Sequence, residues 1–159
     1  MTHRRIHPTV WMIPLLLTGC GEGSNPADVM DPAEQVTVCT DDTGSVEVTV
    51  GPGQTPTIDW SPKCAVAIVR IQDAAADVWG FSTLDVAPRS DIEAVNALRP
   101  PIAWADTPTG AQSVGSGDPL VPGREYSVYI WRLLPPESRA TCLSDFEGLC
   151  LLAEFGFTR

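Results

Sequence analysis

The chain has 159 residues, of which 43% are hydrophobic and 19% are charged, a composition that predicts one globular domain and excludes a disordered chain. Its net charge of −10 at pH 7 argues against binding to nucleic acid or to anionic lipid head groups, because like charges repel. Fifteen prolines and thirteen glycines, without a long helical pattern, favour a β fold that is rich in turns.

The first twenty residues have the pattern of an export signal. A basic start at residues 3–5 precedes an apolar run at 10–17, which is too short to span a bilayer because a helix needs about 20 residues to do so. The run ends in Leu17-Thr18-Gly19-Cys20, which resembles the bacterial lipobox: an aliphatic residue and two small residues before the cysteine that becomes the lipidated N-terminus. The alternatives are a plain secretory signal or a disordered tail that contains a cysteine.

The resemblance to lipoproteins implies a signal peptide at 1–19, a lipidated flexible tether at 20–35 and a β domain at 36–159. Two or three acyl chains on Cys20 would anchor the protein stably in a bilayer, on the extracytoplasmic side of a bacterial cell envelope. Gly21 stands where many inner-membrane lipoproteins of Gram-negative bacteria have an aspartate, which favours the outer membrane in such a host. Removal of the signal peptide leaves eight basic and twenty acidic residues, a net charge of −12.

Four cysteines follow Cys20, namely Cys39, Cys64, Cys142 and Cys150. An even number in an exported domain predicts two disulfides, for which three pairings are possible. We favour Cys142 with Cys150, which closes a short loop before the last strand, and therefore Cys39 with Cys64. A four-cysteine metal site is the alternative, but it would need close Cys-x-x-Cys pairs, and the sequence has none.

Short β-type runs alternate with turn residues through the domain. The predicted strands are residues 45–50, 57–60, 65–72, 78–84, 102–105, 124–133 and 149–158. The run from Ser90 to Glu93 resembles a capping box and predicts a short helix that ends before Pro100. Seven strands without long crossover helices predict an all-β, antiparallel β-sandwich with one short helix.

One motif narrows the sandwich further. Leu120, a Pro122-Gly123 turn and Tyr126 resemble the tyrosine corner of fibronectin type III domains, whose architecture is immunoglobulin-like. The resemblance implies that the Tyr126 hydroxyl forms a hydrogen bond across the corner and that Trp60 is the core tryptophan. The long stretch at 86–101 departs from the compact pattern of that family.

The sequence offers little for catalysis. The only histidines, His3 and His7, lie in the predicted signal peptide, so a mature chain has no histidine base and lacks the commonest zinc ligand. We therefore predict a non-catalytic module without cofactor or metal. One alternative is a glycan hydrolase that uses a pair of carboxylates, although no pair can be named. Another is an adhesion module stabilised by calcium at Asp41 and Asp42, where the sequence pattern favours an ordinary turn.

Strand alternation directs aromatic, apolar and cationic side chains outward on the strands at 65–72 and 124–133. The resemblance to fibronectin type III domains implies that these two strands are neighbours and that the side chains share one outward face. The candidate binding patch consists of Val66, Ile68, Arg70, Tyr129 and Trp131, with Arg132 at its edge. An exposed patch of this composition is typical of a binding surface, here for an envelope protein or a glycan of unknown identity. The alternative is that residues 86–101 or the tether cover this face and make it part of the core.

Overall fold

The computed structural model describes residues 37–74, 76–142, 145–146 and 148–159. The predicted signal peptide, Cys20 and the tether therefore lie outside the described residues.

In the described part of the chain, eight strands form two antiparallel sheets. The strands are β1 (Glu47–Val50), β2 (Ile58–Ser61), β3 (Ile68–Asp73), β4 (Ala76–Ser82), β5 (Gln112–Val114), β6 (Glu125–Leu133), β7 (Asp145–Phe146) and β8 (Leu149–Thr158). The small sheet pairs β1 with β2, and the large sheet has the order β5-β4-β3-β6-β8-β7. One short helix, α1 (Ile92–Val95), and two 3₁₀ turns, Asp41–Thr43 and Pro136–Thr141, complete the described fold. The prediction of an all-β antiparallel sandwich with one short helix is confirmed.

The main core lies between the two sheets, where alternate residues of each strand point inward. The small sheet contributes Val48, Ile58 and Trp60, and the large sheet contributes residues such as Val69 and Val128. Trp60 is 1% exposed, and its indole N–H donates to the Cys64 carbonyl at 2.9 Å. The indole therefore buries its apolar ring without leaving its one polar group unpaired.

The predicted alternation along 65–72 holds within β3 but changes phase just before it. Val66 exchanges backbone hydrogen bonds with Leu98, at 2.9 and 3.0 Å, and its side chain is fully buried in the main core. Ala67 instead donates to the Trp131 carbonyl at 2.9 Å and packs on the opposite face with Ile68. The placement of Val66 on the outward face was therefore wrong, because the chain changes neighbours between residues 66 and 68.

The first part of the segment between β4 and β5, from Leu84 to Val95, packs against the outer face of the large sheet, whereas Leu98 and Ile102 of the same segment lie in the main core. Within it, α1 begins after Asp91, whose carboxylate accepts the Ala94 N–H at 3.0 Å, so the cap lies one residue later than the predicted Ser90. The helix ends at Val95, well before Pro100. Its end is held by Asn96, which is 1% exposed and hydrogen-bonded to the backbone of β6.

The prediction of a strand at 102–105 was wrong. Only Ile102 pairs with the small sheet, through reciprocal backbone bonds to Ile58 at 2.9 and 2.8 Å. Two residues later the chain turns, and the Trp104 ring stacks on Trp79 with the ring centroids 4.6 Å apart. The Trp104 indole N–H donates to the Gly117 carbonyl at 3.1 Å, so a tertiary contact replaces the strand. The short strands β5 and β7 were not predicted.

The favoured disulfide pairing is confirmed. Cys39 is bonded to Cys64, with their Cα atoms 4.9 Å apart, and Cys142 is bonded to Cys150, with their Cα atoms 5.2 Å apart. The first bond ties the chain before β1 to the chain before β3, beside Trp60 in the main core. The second ties the end of a 3₁₀ turn to β8.

The turn before β6 contains a hydrogen bond between a backbone N–H and a tyrosine hydroxyl. The Tyr126 hydroxyl accepts the Val121 N–H at 2.9 Å, and the Tyr126 side chain is 4% exposed. Leu120 is buried beside it, and Gly123 adopts a positive φ of 80° in the turn between them. A left-handed conformation of this kind is readily accessible to glycine.

Candidate binding site on the outer face of the large sheet

A cleft of about 510 Å³ lies on the face of the large sheet that points away from the main core. We call it the outer-face cleft. It is lined by Ile68, Arg70, Gln72, Leu84, Arg89, Tyr129, Trp131 and Leu149. Its size falls in the range of sites for small ligands or for a few residues of a larger partner.

Pairing between β3 and β6 brings together four of the five predicted patch residues. Arg70 lies opposite Tyr129, and Ile68 lies opposite Trp131, so all four side chains project from the same face. Val66 is not among them. The sequence directed these four side chains outward because both strands alternate regularly at these positions, and the resemblance to fibronectin type III domains implied that the two strands are neighbours.

Arg132 does not lie at the edge of the cleft. It is 5% exposed, and its guanidinium donates to the Thr40 carbonyl. Arg132 has the same parity along β6 as the inward residues Val128 and Ile130. The alternation that places Trp131 outward therefore places Arg132 inward, and the expectation for Arg132 was wrong.

The outer face is covered at one end and open at the other. Val95 of α1 packs against Ala67 and Leu133 in a second buried cluster, as a covering segment would. Beyond that cluster, Leu84 and Arg89 form only the side of the cleft, and Trp131 remains partly exposed. Neither Leu84 nor Arg89 was predicted in the site. Leu84 was expected at the end of a strand at 78–84, but β4 ends at Ser82, and Arg89 lies in an irregular segment without periodicity.

Two carboxylates hold the polar side chains of the cleft in place. Asp77 on β4 accepts from Arg70 Nη1 at 3.3 Å and from Gln72 Nε2 at 2.9 Å. The Tyr129 hydroxyl donates to Glu154 Oε1 at 3.0 Å. Burial raises the pKa of the Tyr129 phenol, and the hydrogen bond to Glu154 and the charge of Glu154 raise that pKa further. The cleft thus presents a neutral phenol and oriented planar donors around an apolar floor.

The described residues offer this site no acid in a buried position. Their buried polar and charged side chains are Ser82, Thr83, Asn96 and Arg132. Thr83 is used structurally, since its hydroxyl contacts the Ala67 carbonyl at 3.0 Å.

The Asp41-Asp42 sequence forms part of a 3₁₀ turn that ends at Gly44, whose φ is 66°. Asp42 is exposed. Within residues 37–142, 145–146 and 148–159, apart from residue 75, no group of three or more histidine, cysteine or acidic side chains could hold a metal ion.

Among the described residues, no helix has both the length and the apolar character needed to cross a membrane. No protein-family model, curated protein or solved structure matches the chain significantly.

Proposed function

We propose that this chain is a non-catalytic binding protein of the bacterial cell envelope, anchored by lipid on Cys20, whose outer-face cleft holds the ligand. The cleft is the observation that carries the binding role. It combines an apolar floor with partly exposed aromatic and arginine side chains, the composition that distinguishes binding surfaces from the ordinary surface.

The geometry of the cleft also supports binding, because its polar groups are already oriented. Asp77 fixes Arg70 and Gln72, and Glu154 fixes Tyr129. A ligand that meets such groups does not have to order them, which lowers the entropic cost of association. An envelope protein or a glycan fits this surface, since flat apolar groups can lie against Trp131 while hydroxyl or carbonyl groups meet the surrounding donors.

Substitution of Tyr129 and Trp131 by serine tests the binding role. The double variant, immobilised beside the unchanged chain, should lose partners that are retained from the solubilised envelope of the source organism. Val121→Ser is the matched control, because Val121 is 53% exposed and lies at the corner before β6 rather than in the cleft. Equal capture by all three folded proteins would refute a binding role for the cleft.

The lipid anchor rests on the lipobox resemblance of residues 17–20. The two disulfides support export, because such bonds form and persist in oxidising compartments. An intact mass measured on the membrane fraction should correspond to a chain that begins at Cys20 and carries acyl groups. A chain that retains Met1 would contradict the anchor and the compartment together.

We also propose that the domain is related in architecture to fibronectin type III domains. The order β4-β3-β6-β8 resembles the arrangement of the larger sheet in immunoglobulin-like sandwiches. The Tyr126 hydroxyl bond to Val121 supports the same relation, as does the buried Trp60 on β2. Tyr126→Phe should lower the free energy of unfolding by about 1 kcal/mol, the usual contribution of one such hydrogen bond. An unchanged free energy of unfolding in denaturant titration would show that the Tyr126 hydroxyl bond does not stabilise this corner, and it would no longer support a relation to fibronectin type III domains.

A further inference from the structure

The strand β8 has one long edge that no described strand covers. Its other edge pairs with β6 along the whole strand. On the open side β7 pairs only with Leu149 and Cys150. From Leu151 to Thr158 the edge is therefore unpaired within the described part of the chain. Such an edge is a template for a further strand.

The backbone groups on this edge can be assigned from the ladder. The Arg159 N–H donates to the Arg124 carbonyl at 3.0 Å, toward β6. Because alternate residues of an antiparallel strand face the same neighbour, Phe157 and Phe155 also direct their backbone groups toward β6. Glu154, Gly156 and Thr158 then direct theirs outward, and all three are exposed. A Cβ atom at Gly156 would meet nothing within 4 Å, so a second backbone could approach there closely.

An apolar groove of about 440 Å³ runs beside this edge, between β1 and β8. We call it the seam. Its apolar lining comprises Val46, Val48, Leu151, Leu152, Ala153 and Phe155. Phe155 is 40% exposed, although it lies on the inner face of β8. A strand added to β8 would direct alternate side chains into the seam and cover the Phe155 ring.

The charges around the seam distinguish between possible occupants. Its two charged residues are Glu47 and Glu154, which are both acidic and exposed, and the Glu154 carboxylate keeps its negative charge while it accepts the Tyr129 hydroxyl. Arg159, the cation at the end of β8, already donates to the Gly51 carbonyl at 2.7 Å and lies 5.6 Å from the centroid of the Phe157 ring. A second copy of this chain that paired through the same edge would bring the same two acidic residues, which would repel those already there. Its Arg159 would be held in the same hydrogen bond to the Gly51 carbonyl and would not offset them. An apolar segment flanked by basic residues would complement it.

We propose that the β8 edge and the seam bind an extended segment of a partner protein, with alternating apolar residues flanked by lysine or arginine, as an added β-strand. The backbone groups of Glu154, Gly156 and Thr158 pair with this strand, and the seam accepts its inward side chains. The seam and the outer-face cleft share no lining residue, but Glu154 of the seam also accepts the hydrogen bond from Tyr129 of the cleft. The variants that test the seam therefore leave Glu154 unchanged, so either site can fail its test without the other.

The test uses the purified full-length chain and a fluorescent synthetic peptide of alternating valine and threonine with two lysines at each end. Fluorescence anisotropy should show saturable binding, and hydrogen exchange should show new protection at the amides of Glu154, Gly156 and Thr158. Two control peptides separate charge from strand pairing. One has glutamate in place of lysine, and the other carries N-methyl groups on alternate amides, which block one hydrogen-bonding edge.

Two variants of the chain test the same surface from its own side. Gly156→Pro removes an outward N–H at an edge position that tolerates proline, and should weaken peptide binding about tenfold. Glu47→Lys should weaken it by a similar factor, whereas Glu93→Lys on α1 makes the same charge change outside the seam and should leave binding unchanged.

Equal binding of either control peptide would overturn the proposal, as would unchanged binding by Gly156→Pro and Glu47→Lys. A chain that dimerises without peptide, with the same three amides protected, would show that a second copy occupies the edge instead.

Discussion

Replacement of Asn96 by alanine should both destabilise the domain and loosen the side of the outer-face cleft. Asn96 is 1% exposed, and its side-chain amide forms two hydrogen bonds with the backbone of Leu133. Its Oδ1 accepts the Leu133 N–H at 2.9 Å, and its Nδ2 donates to the Leu133 carbonyl at 2.9 Å, as the backbone of a neighbouring strand would. A further bond joins Nδ2 to the Ile92 carbonyl at 2.8 Å. One side chain thus fastens the segment that carries Leu84 and Arg89 to β6.

The alanine variant leaves the N–H and the carbonyl of Leu133 buried without their partner. Each such group costs about 1 to 3 kcal/mol, so the free energy of unfolding should fall by roughly 3 kcal/mol. For a domain of this size the midpoint of thermal unfolding should fall by about 10 °C. Gln112→Ala is the matched control, since Gln112 carries an exposed amide on β5, and its cost should stay within about 0.5 kcal/mol.

Denaturant titration and calorimetry measure both variants, and hydrogen exchange at Leu133 reports the local effect. If Asn96→Ala unfolds at the same denaturant concentration as Gln112→Ala, the Asn96 side chain does not fasten the segment that carries Leu84 and Arg89 to β6.

Three further outcomes are expected. Absorbance titration should place the Tyr129 phenol above the ordinary tyrosine pKa of about 10, and Glu154→Gln should lower that pKa without restoring it fully, because burial is the first cause. Since folding disfavours this phenolate, the Tyr129 contribution to stability is fully present below pH 10 and is lost as the pH rises through the folded pKa; a calorimetric stability that increases there would contradict this. Replacement of Cys39 and Cys64 together by alanine should lower the free energy of unfolding by about 3.5 kcal/mol from loop entropy, and an unchanged denaturation midpoint would show that this bond adds nothing. Gly80→Ala should prevent folding or cost more than about 3 kcal/mol, because a Cβ there would lie 2.1 Å from the Val69 carbonyl oxygen and φ is 155°; a soluble variant of ordinary stability would show that this spacing is not required.

The parts of the fold that the sequence predicted are those with regular alternation or with paired cysteines. The long strands β6 and β8 and the disulfide pairing belong to this group. The strands β5 and β7 have three and two residues, which is too short for a period of two to be recognised. Trp104 shows a different limit, because its stacking on Trp79 is a tertiary contact that the local pattern of 102–105 does not contain.

The candidate site follows the same division. Ile68, Arg70, Tyr129 and Trp131 were directed outward from the alternation of two regular strands, and the resemblance to fibronectin type III domains made those strands neighbours. Val66 was misplaced because its hydrogen-bond partner Leu98 lies far along the chain. Arg132, in contrast, was expected at the edge of the patch although it has the same parity along β6 as Tyr126, and the structure places it inside with the other buried residues of that strand.

The most direct test of the binding role is an NMR titration of the indole N–H groups of the tryptophans with solubilised envelope from the source organism. Trp131 lines the cleft and reports binding there. Trp60 is the internal control, because its indole is buried and donates a hydrogen bond to the Cys64 carbonyl. If the outer-face cleft binds a ligand, the Trp131 indole signal should shift or broaden while the Trp60 signal stays in place. An unmoved Trp131 signal, with or without a change at Trp60, would contradict the proposal that the outer-face cleft binds a ligand.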